Sequence, residues 1–219
     1  MTKVKICGLK EEEHVLCAAH AGADFIGFMF APSKRRISIE KAQKLGKLVP
    51  NHVKKVGVFV NPTEEKVRLT FEQVGLDYVQ YHGQEDAEFI QRLGFPSIKA
   101  FSVRSFEDVE KASKYKVDYY LFDAPGTDFA GGSGKVFDWS LLDQLSIPRE
   151  KVILAGGLNA GNVQQAISQV HPFGVDVSSG VECDGVKNCE RIKEFIEITK
   201  SQGESPLNTN NTTLKEQTT

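Results

Sequence analysis

Two side chains in this 219-residue chain are placed to exchange protons with a substrate: the thiol of Cys7 and the carboxyl of Asp123. Cys7 ends the alternating segment Lys3-Val4-Lys5-Ile6-Cys7. Successive side chains of an extended strand point to opposite faces, so Lys5 and Cys7 share one face and Val4 and Ile6 the other. An unpaired cysteine commonly serves as a small buried hydrophobe. At a strand end, with a lysine on the same face, it can instead lose its proton more easily and act as a base. Asp123 closes Tyr119-Tyr120-Leu121-Phe122-Asp123 and shares its face with Tyr119 and Leu121. An aspartate before Ala124-Pro125-Gly126 commonly starts a turn. Partly desolvated, its carboxyl would hold its proton to higher pH and serve as a general acid. Neither residue decides the chemistry alone; at one rim they form an acid/base pair.

Three glycine-bearing segments come late in the chain: Gly131-Gly132-Ser133-Gly134, Gly156-Gly157 and Ser178-Ser179-Gly180. Glycine lets backbone N–H groups approach an anion closely, although each segment alone also reads as ordinary turn chemistry. Gly134-Lys135 matches the end of a nucleotide-binding P-loop, but Phe129 stands where that motif needs glycine and Val136 where it needs serine or threonine. Arg35 and Arg36 follow Pro32-Ser33-Lys34. They read either as a solvated basic loop or as a bidentate grip on a carboxylate. Asp176 suits pairing with a buried lysine or with a substrate amine. His82 reads as a structural histidine, since no serine or cysteine nucleophile stands beside it. Trp139 reads as packing.

These residues need elements to position them. Short β-branched or aromatic runs at 3–7, 25–28, 55–60, 78–80, 97–101, 118–123, 151–154 and 174–177 predict strands. Amphipathic patterns at 11–21, 39–48, 64–73, 87–93, 106–115, 160–170 and 188–200 predict helices between and after them. Eight strands alternating with helices imply parallel βαβ units, and that number favours an α/β single (β/α)8 TIM barrel over an open doubly wound sheet. In such a barrel the catalytic groups stand at the carboxyl ends of the strands, and the loops after strands 7 and 8 hold a phosphate. Cys7, Asp123 and the loops Gly156-Gly157 and Ser178-Ser179-Gly180 all fall at such ends. The barrel is expected over residues 1–200. Residues 201–219, rich in Ser, Thr, Asn and Gln, bury too little to offset their ordering entropy and are expected to be disordered.

The bulk composition excludes several classes. Hydrophobic residues make up 40% of the chain and charged ones 26%, with net charge −2 and no basic block, which argues against nucleic acid as a partner. Cys7, Cys17, Cys183 and Cys189 form no CxxC pair and no metal-ligand spacing with the five histidines, so no metal is expected and the thiols read as free. The first residues carry no secretory apolar core and no run is long enough to cross a bilayer, so a cytoplasmic protein is expected.

Read together, these segments resemble the phosphoribosylanthranilate isomerase family. The resemblance runs through Val4-Lys5-Ile6-Cys7-Gly8, Ala23-Asp24-Phe25-Ile26-Gly27-Phe28, Ser33-Lys34-Arg35, Val56-Gly57-Val58-Phe59-Val60-Asn61 and Val79-Gln80-Tyr81-His82-Gly83. It continues through residues 131–139, through Leu154-Ala155-Gly156-Gly157-Leu158, and through Val175-Asp176-Val177-Ser178-Ser179-Gly180-Val181-Glu182. It implies a cofactor-free Amadori isomerase of tryptophan biosynthesis, acting as monomer or homodimer on a small phosphorylated substrate. It further implies Cys7 as general base and Asp123 as general acid. Arg35 would hold the anthranilate part and Asp176 would be another substrate contact. Gly156, Gly157, Ser178, Ser179 and Gly180 would form the phosphate site. Asn188 and Cys189 depart from the acidic residues expected before the last helix, which leaves that helix start open. The rivals are another phosphate-binding barrel enzyme, such as an indole-glycerol-phosphate synthase, and a barrel that binds a ligand without turning it over.

Overall fold

The computed structural model describes residues 1–125 and 136–201. Eight parallel strands close into a barrel in chain order: β1 (Lys3–Cys7), β2 (Phe25–Met29), β3 (Lys54–Phe59), β4 (Tyr78–Tyr81), β5 (Ser97–Ser102), β6 (Tyr119–Asp123), β7 (Val152–Leu154) and β8 (Gly174–Val177). Pairing of β1 with β8, with Lys5 opposite Asp176, closes the ring and rules out the open sheet. Around it run α1 (Glu12–His20), α2 (Ile39–Gly46), α3 (Glu64–Val74), α4 (Ala87–Leu93), α5 (Phe106–Glu110), α6 (Val163–Val170) and α7 (Cys189–Lys200). Among the described residues, no helix is long and apolar enough to cross a membrane.

Strand parity sorts the core into two layers. Val4 and Ile6 join the outer layer with helix residues such as Ile192 and Phe195, while Phe25, Val56, Ile98, Leu121 and Ile153 fill the barrel itself. At the amino ends of the strands, Phe25, Tyr78, Tyr119 and Phe173 pack ring against ring, the Tyr119 and Phe173 centroids 4.6 Å apart. These rings plug that mouth, so the cleft opens at the opposite face.

An aspartate precedes each of β2, β4 and β6, and its carboxylate accepts a backbone N–H at the start of the preceding strand. Asp24 Oδ2 takes Val4 N at 2.9 Å, Asp77 Oδ2 takes Lys55 N at 2.8 Å and Asp118 Oδ2 takes Ser97 N at 2.7 Å. This two-strand repeat satisfies donors that the parallel ladder leaves over. It stops before β8, where Phe173 stands in place of the aspartate and joins β1 through its carbonyl.

The departures from the sequence reading have local causes. The predicted helix at 160–170 begins at Val163, because Asn159 Oδ1 accepts from Gly161 N and Asn162 Oδ1 accepts from Asn159 N, which folds 159–162 into a turn. The helix at 106–115 tightens to a 3-10 turn over Lys111–Lys114. Between β6 and β7 the described chain makes a 3-10 turn, Trp139–Leu142, whose Trp139 is buried packing as expected. A hairpin of β9 (Glu182–Cys183) and β10 (Val186–Lys187) was not foreseen. Its turn, Asp184-Gly185, has positive φ at both residues, a pairing that signals a two-residue hairpin. Asn188 settles the start of α7, since its side chain accepts from Arg191 N as the N-cap. The Gly131–Gly134 segment and all of the predicted tail beyond Ser201 lie outside the described residues.

Asp118→Ala should cost about 1–2 kcal/mol, because Ser97 N–H loses its acceptor in a partly buried setting. Urea denaturation checks this; a midpoint unchanged from that of the parent would refute the role given to these aspartates.

Candidate active site

Cys7 ends β1 with its side chain turned into the barrel mouth, 5% exposed, and Lys5 lies one inward position below it at 1%. The β1–β8 register brings Asp176 opposite Lys5, and Lys5 Nζ donates to Asp176 Oδ1 at 2.9 Å. So Asp176 takes the buried-lysine role left open by its sequence position, and it also lines the cleft. Gly27 on β2 makes this arrangement possible: a Cβ there would stand 2.9 Å from Cys7 Sγ and 3.2 Å from Lys5 Nζ. Burial pushes the Cys7 thiol above its ordinary value of 9.0, while Lys5 pulls it down and Asp176 pushes it up. Burial would lower Lys5, but the Asp176 carboxylate and the sulfur outweigh it and keep the amine charged. The lysine eases loss of the thiol proton, and desolvation is the larger influence.

Asp123 ends β6 and reaches the same cleft. Its Oδ1 lies beside Gly156, where a Cβ would come within 2.8 Å, and its Oδ2 is 3.3 Å from His82 Nε2. Gly156 and Gly157 both have positive φ, at 86° and 65°, conformations that glycine adopts without strain. Gly180 serves a different need. A Cβ on it would sit 1.9 Å from Leu158 O, so it is the close approach of the loop after β8 to the loop after β7 that requires glycine there.

A second charged cluster borders the cleft. Arg35 runs over Gly8, whose absent side chain leaves room for it, and grips Glu182 through Nε–H to Oε1 at 2.6 Å and Nη2–H to Oε2 at 2.9 Å. Lys187 donates to Glu182 Oε1 at 2.8 Å and to the carbonyl of Ser178 at 2.7 Å, and Ser178 Oγ donates to the carbonyl of Cys7 at 3.1 Å. The hairpin thus ties the loop after β2 to the loop after β8 and to the end of β1. Burial alone would raise the Glu182 carboxyl, but hydrogen bonds from Arg35 and Lys187 outweigh it and hold it down at about 2. Burial lowers Lys187 below the usual lysine value, against the opposing pull of Glu182.

The cleft is walled by Cys7, Asp123, Asp176 and Arg35, together with Gly156-Gly157 and Ser178-Ser179. A thiol, a carboxyl, a guanidinium and two glycine- or serine-bearing turns therefore surround one opening, a set suited to proton transfer on an anionic substrate. Among the described residues, no group of three or more His, Cys, Asp or Glu could hold a metal ion.

The model of a family described as N-(5'-phosphoribosyl)anthranilate (PRA) isomerase matches residues 4–198. The chain belongs to this family. It is 50% identical over 197 residues to an N-(5'-phosphoribosyl)anthranilate isomerase of Listeria welshimeri, covering 90% of this chain and 98% of that relative. Among solved structures it is similar to monomers of the dimeric phosphoribosylanthranilate isomerase from Thermotoga maritima, with TM-score 0.82, 39% identity, and coverage of 92% of this chain and 100% of that one. It is also similar to a phosphoribosylanthranilate isomerase in complex with reduced 1-(o-carboxyphenylamino)-1-deoxyribulose 5-phosphate, with TM-score 0.81, 40% identity and the same coverage.

Of the residues singled out in the sequence, Cys7, Arg35, Asp123, Gly156, Gly157, Asp176, Ser178 and Ser179 line the cleft of this isomerase fold, and Gly180 stands behind them. Sequence reasoning passed over Glu182 and Lys187, and it read His82 as structural although the ring lines the cleft. His82 follows β4 directly, at the same end of the barrel as Cys7 and Asp123.

Glu182 stays ionised in the folded protein down to about pH 2, whereas a free glutamate titrates near 4.5. Its stabilisation is therefore full above about pH 4.5 and is lost as pH falls from there toward about 2. Glu182→Gln should cost about 2–3 kcal/mol at neutral pH, with the gap to the parent closing across that window. Urea midpoints measured from pH 7 to 2 test this; parallel curves for the two proteins would refute it.

Proposed function

We propose that this chain catalyses the Amadori rearrangement of N-(5-phosphoribosyl)anthranilate to 1-(2-carboxyphenylamino)-1-deoxyribulose 5-phosphate, an isomerase step of tryptophan biosynthesis. The observation that carries the residue roles is the placement of Cys7 and Asp123 on different strands at one cleft, with the thiol beside a charged lysine. Asp123 delivers a proton to the ribose ring oxygen, and the ring opens to a protonated Schiff base at C1. Cys7, as thiolate, removes the proton from C2 to leave an enolamine. Return of a proton to C1 and loss of the C2 hydroxyl proton then yield the ketone. Every step moves a proton, so acid and base side chains supply the chemistry and no cofactor enters.

The ends of the substrate match the ends of the cleft. Arg35 holds the anthranilate carboxylate; among the described residues its Nη1 has no partner while Glu182 fixes the rest of the guanidinium. The turns at Gly156-Gly157 and Ser178-Ser179-Gly180 take the phosphate. In support, the N–H groups of Gly156 and Gly157 have no acceptor among the described residues. Asp176 acts beneath the substrate by keeping Lys5 charged and in place next to Cys7. The protein works in the cytoplasm, as monomer or homodimer, on this small phosphorylated substrate, with neither nucleic acid nor membrane as partner.

Loss of anthranilate-type fluorescence on adding phosphoribosylanthranilate, generated in situ with a metal chelator present, is expected to be rapid. Cys7→Ala and Asp123→Asn should each lower kcat by ~10²–10⁴-fold while the thermal midpoint stays near that of the parent. Near-normal turnover in either variant would strip that residue of its role, and no conversion by the folded parent would overturn the whole reading.

A further inference from the structure

Among the described residues, His82 is the one ring lining the cleft, and the acid/base scheme does not use it. It follows β4, and its two nitrogens face different partners: Nε2 lies 3.3 Å from Asp123 Oδ2, and Nδ1 lies 3.2 Å from Gln80 Nε2. With Gln80 donating from its amide nitrogen, the neutral ring offers the lone pair of Nδ1 and carries its proton on Nε2. That proton then points at Asp123 Oδ2. Resting on the reading of Asp123 as general acid, we propose that Gln80 and His82 form a positioning relay that occupies Oδ2, so that the transferable proton of Asp123 resides on Oδ1, beside Gly156 and facing the cleft.

The surroundings make such a relay rigid. Gln80 is buried inside the barrel on β4. The backbone of His82 is held by its N–H to Phe59 O at 2.8 Å. The next residue, Gly83, donates to both oxygens of Glu85, at 3.2 and 2.9 Å, and Glu85 also accepts from Asn61 N at 2.7 Å and from Lys99 Nζ at 3.0 Å. The ends of β3, β4 and β5 are thus stapled together around a buried ion pair, and His82 stands on a fixed base. On the other side of the carboxyl, Oδ1 lies beside Gly156, and both residues line the cleft. The choice between two oxygens alone costs only about a factor of two, but a carboxyl with no partner on Oδ2 is also free to turn, and a misplaced acid loses far more. Fixing one oxygen removes that loss, an orientation effect of the kind that separates positioned from unpositioned catalysts.

The test compares His82→Leu, His82→Gln and Gln80→Leu with the parent, and records the nitrogen resonances of the His82 ring in the intact parent by ¹⁵N NMR. Leucine removes the donor; glutamine restores an N–H at about the reach of Nε2. His82→Leu should lower kcat by about 10- to 100-fold with KM nearly unchanged. His82→Gln should recover most of that loss, and Gln80→Leu should fall between the two. The ring should show Nε2 protonated and Nδ1 bare. Normal kcat in His82→Leu, equal impairment of the leucine and glutamine variants, or a proton on Nδ1 would each overturn the relay. Asp123→Asn separates the two readings: if it is impaired while His82→Leu is normal, only the relay fails, and if Asp123→Asn itself turns over normally, the acid assignment fails and the relay with it.

Discussion

The ion pair between Lys5 and Asp176 is the constraint on which the active end of this barrel depends. The two residues stand 171 positions apart and meet only because β1 and β8 close the ring. Each is nearly inaccessible to water, and a buried unpaired charge of either kind would cost several kcal/mol. The closed barrel therefore makes the pair tolerable, and the pair in turn favours the one register in which the charges face each other. Because Cys7 lies next above Lys5 on the same face, the interaction that marks the seam also sets the electrostatic surroundings of the thiol.

The two ends of the barrel solve opposite problems. At the amino end, aromatic rings fill the interior and aspartates satisfy the leftover N–H groups, so the barrel is closed on that side. At the carboxyl end, the inward positions are polar and the turns are built from small residues. Gly27, Gly156 and Gly180 each stand where a Cβ would collide with a thiol, a carboxyl or a neighbouring backbone. Missing side chains make the space, and charged side chains from other strands fill its border.

That border is cross-linked rather than loose. Arg35, Glu182, Lys187 and Ser178 join the loops after β2 and β8 to the end of β1, and Glu85 with Lys99 joins the loops after β3 and β4 to β5. Long flexible side chains are thereby held before any substrate arrives, which limits the entropy lost on binding. The hairpin that carries Glu182 and Lys187 is short, yet it fixes the guanidinium expected to meet the substrate carboxylate.

Strand count, strand order and the direction in which Cys7 and Asp123 face were legible in the sequence, because period-two alternation and chain order are local properties. The two late turns were legible for the same reason: glycine and serine clusters after a strand keep their meaning whatever lies around them. The partner of Arg35 was not, since Glu182 lies 147 residues away and its identity follows from which loops the closed ring brings together. His82 reads as structural in the sequence because its surroundings in the chain contain no reactive neighbour; the carboxyl it faces, Asp123, comes from another strand. The sequence by itself determined the elements and which side chains face inward. Only the tertiary structure decided which of those side chains meet, because burial and distance between charges exist only once the barrel has closed.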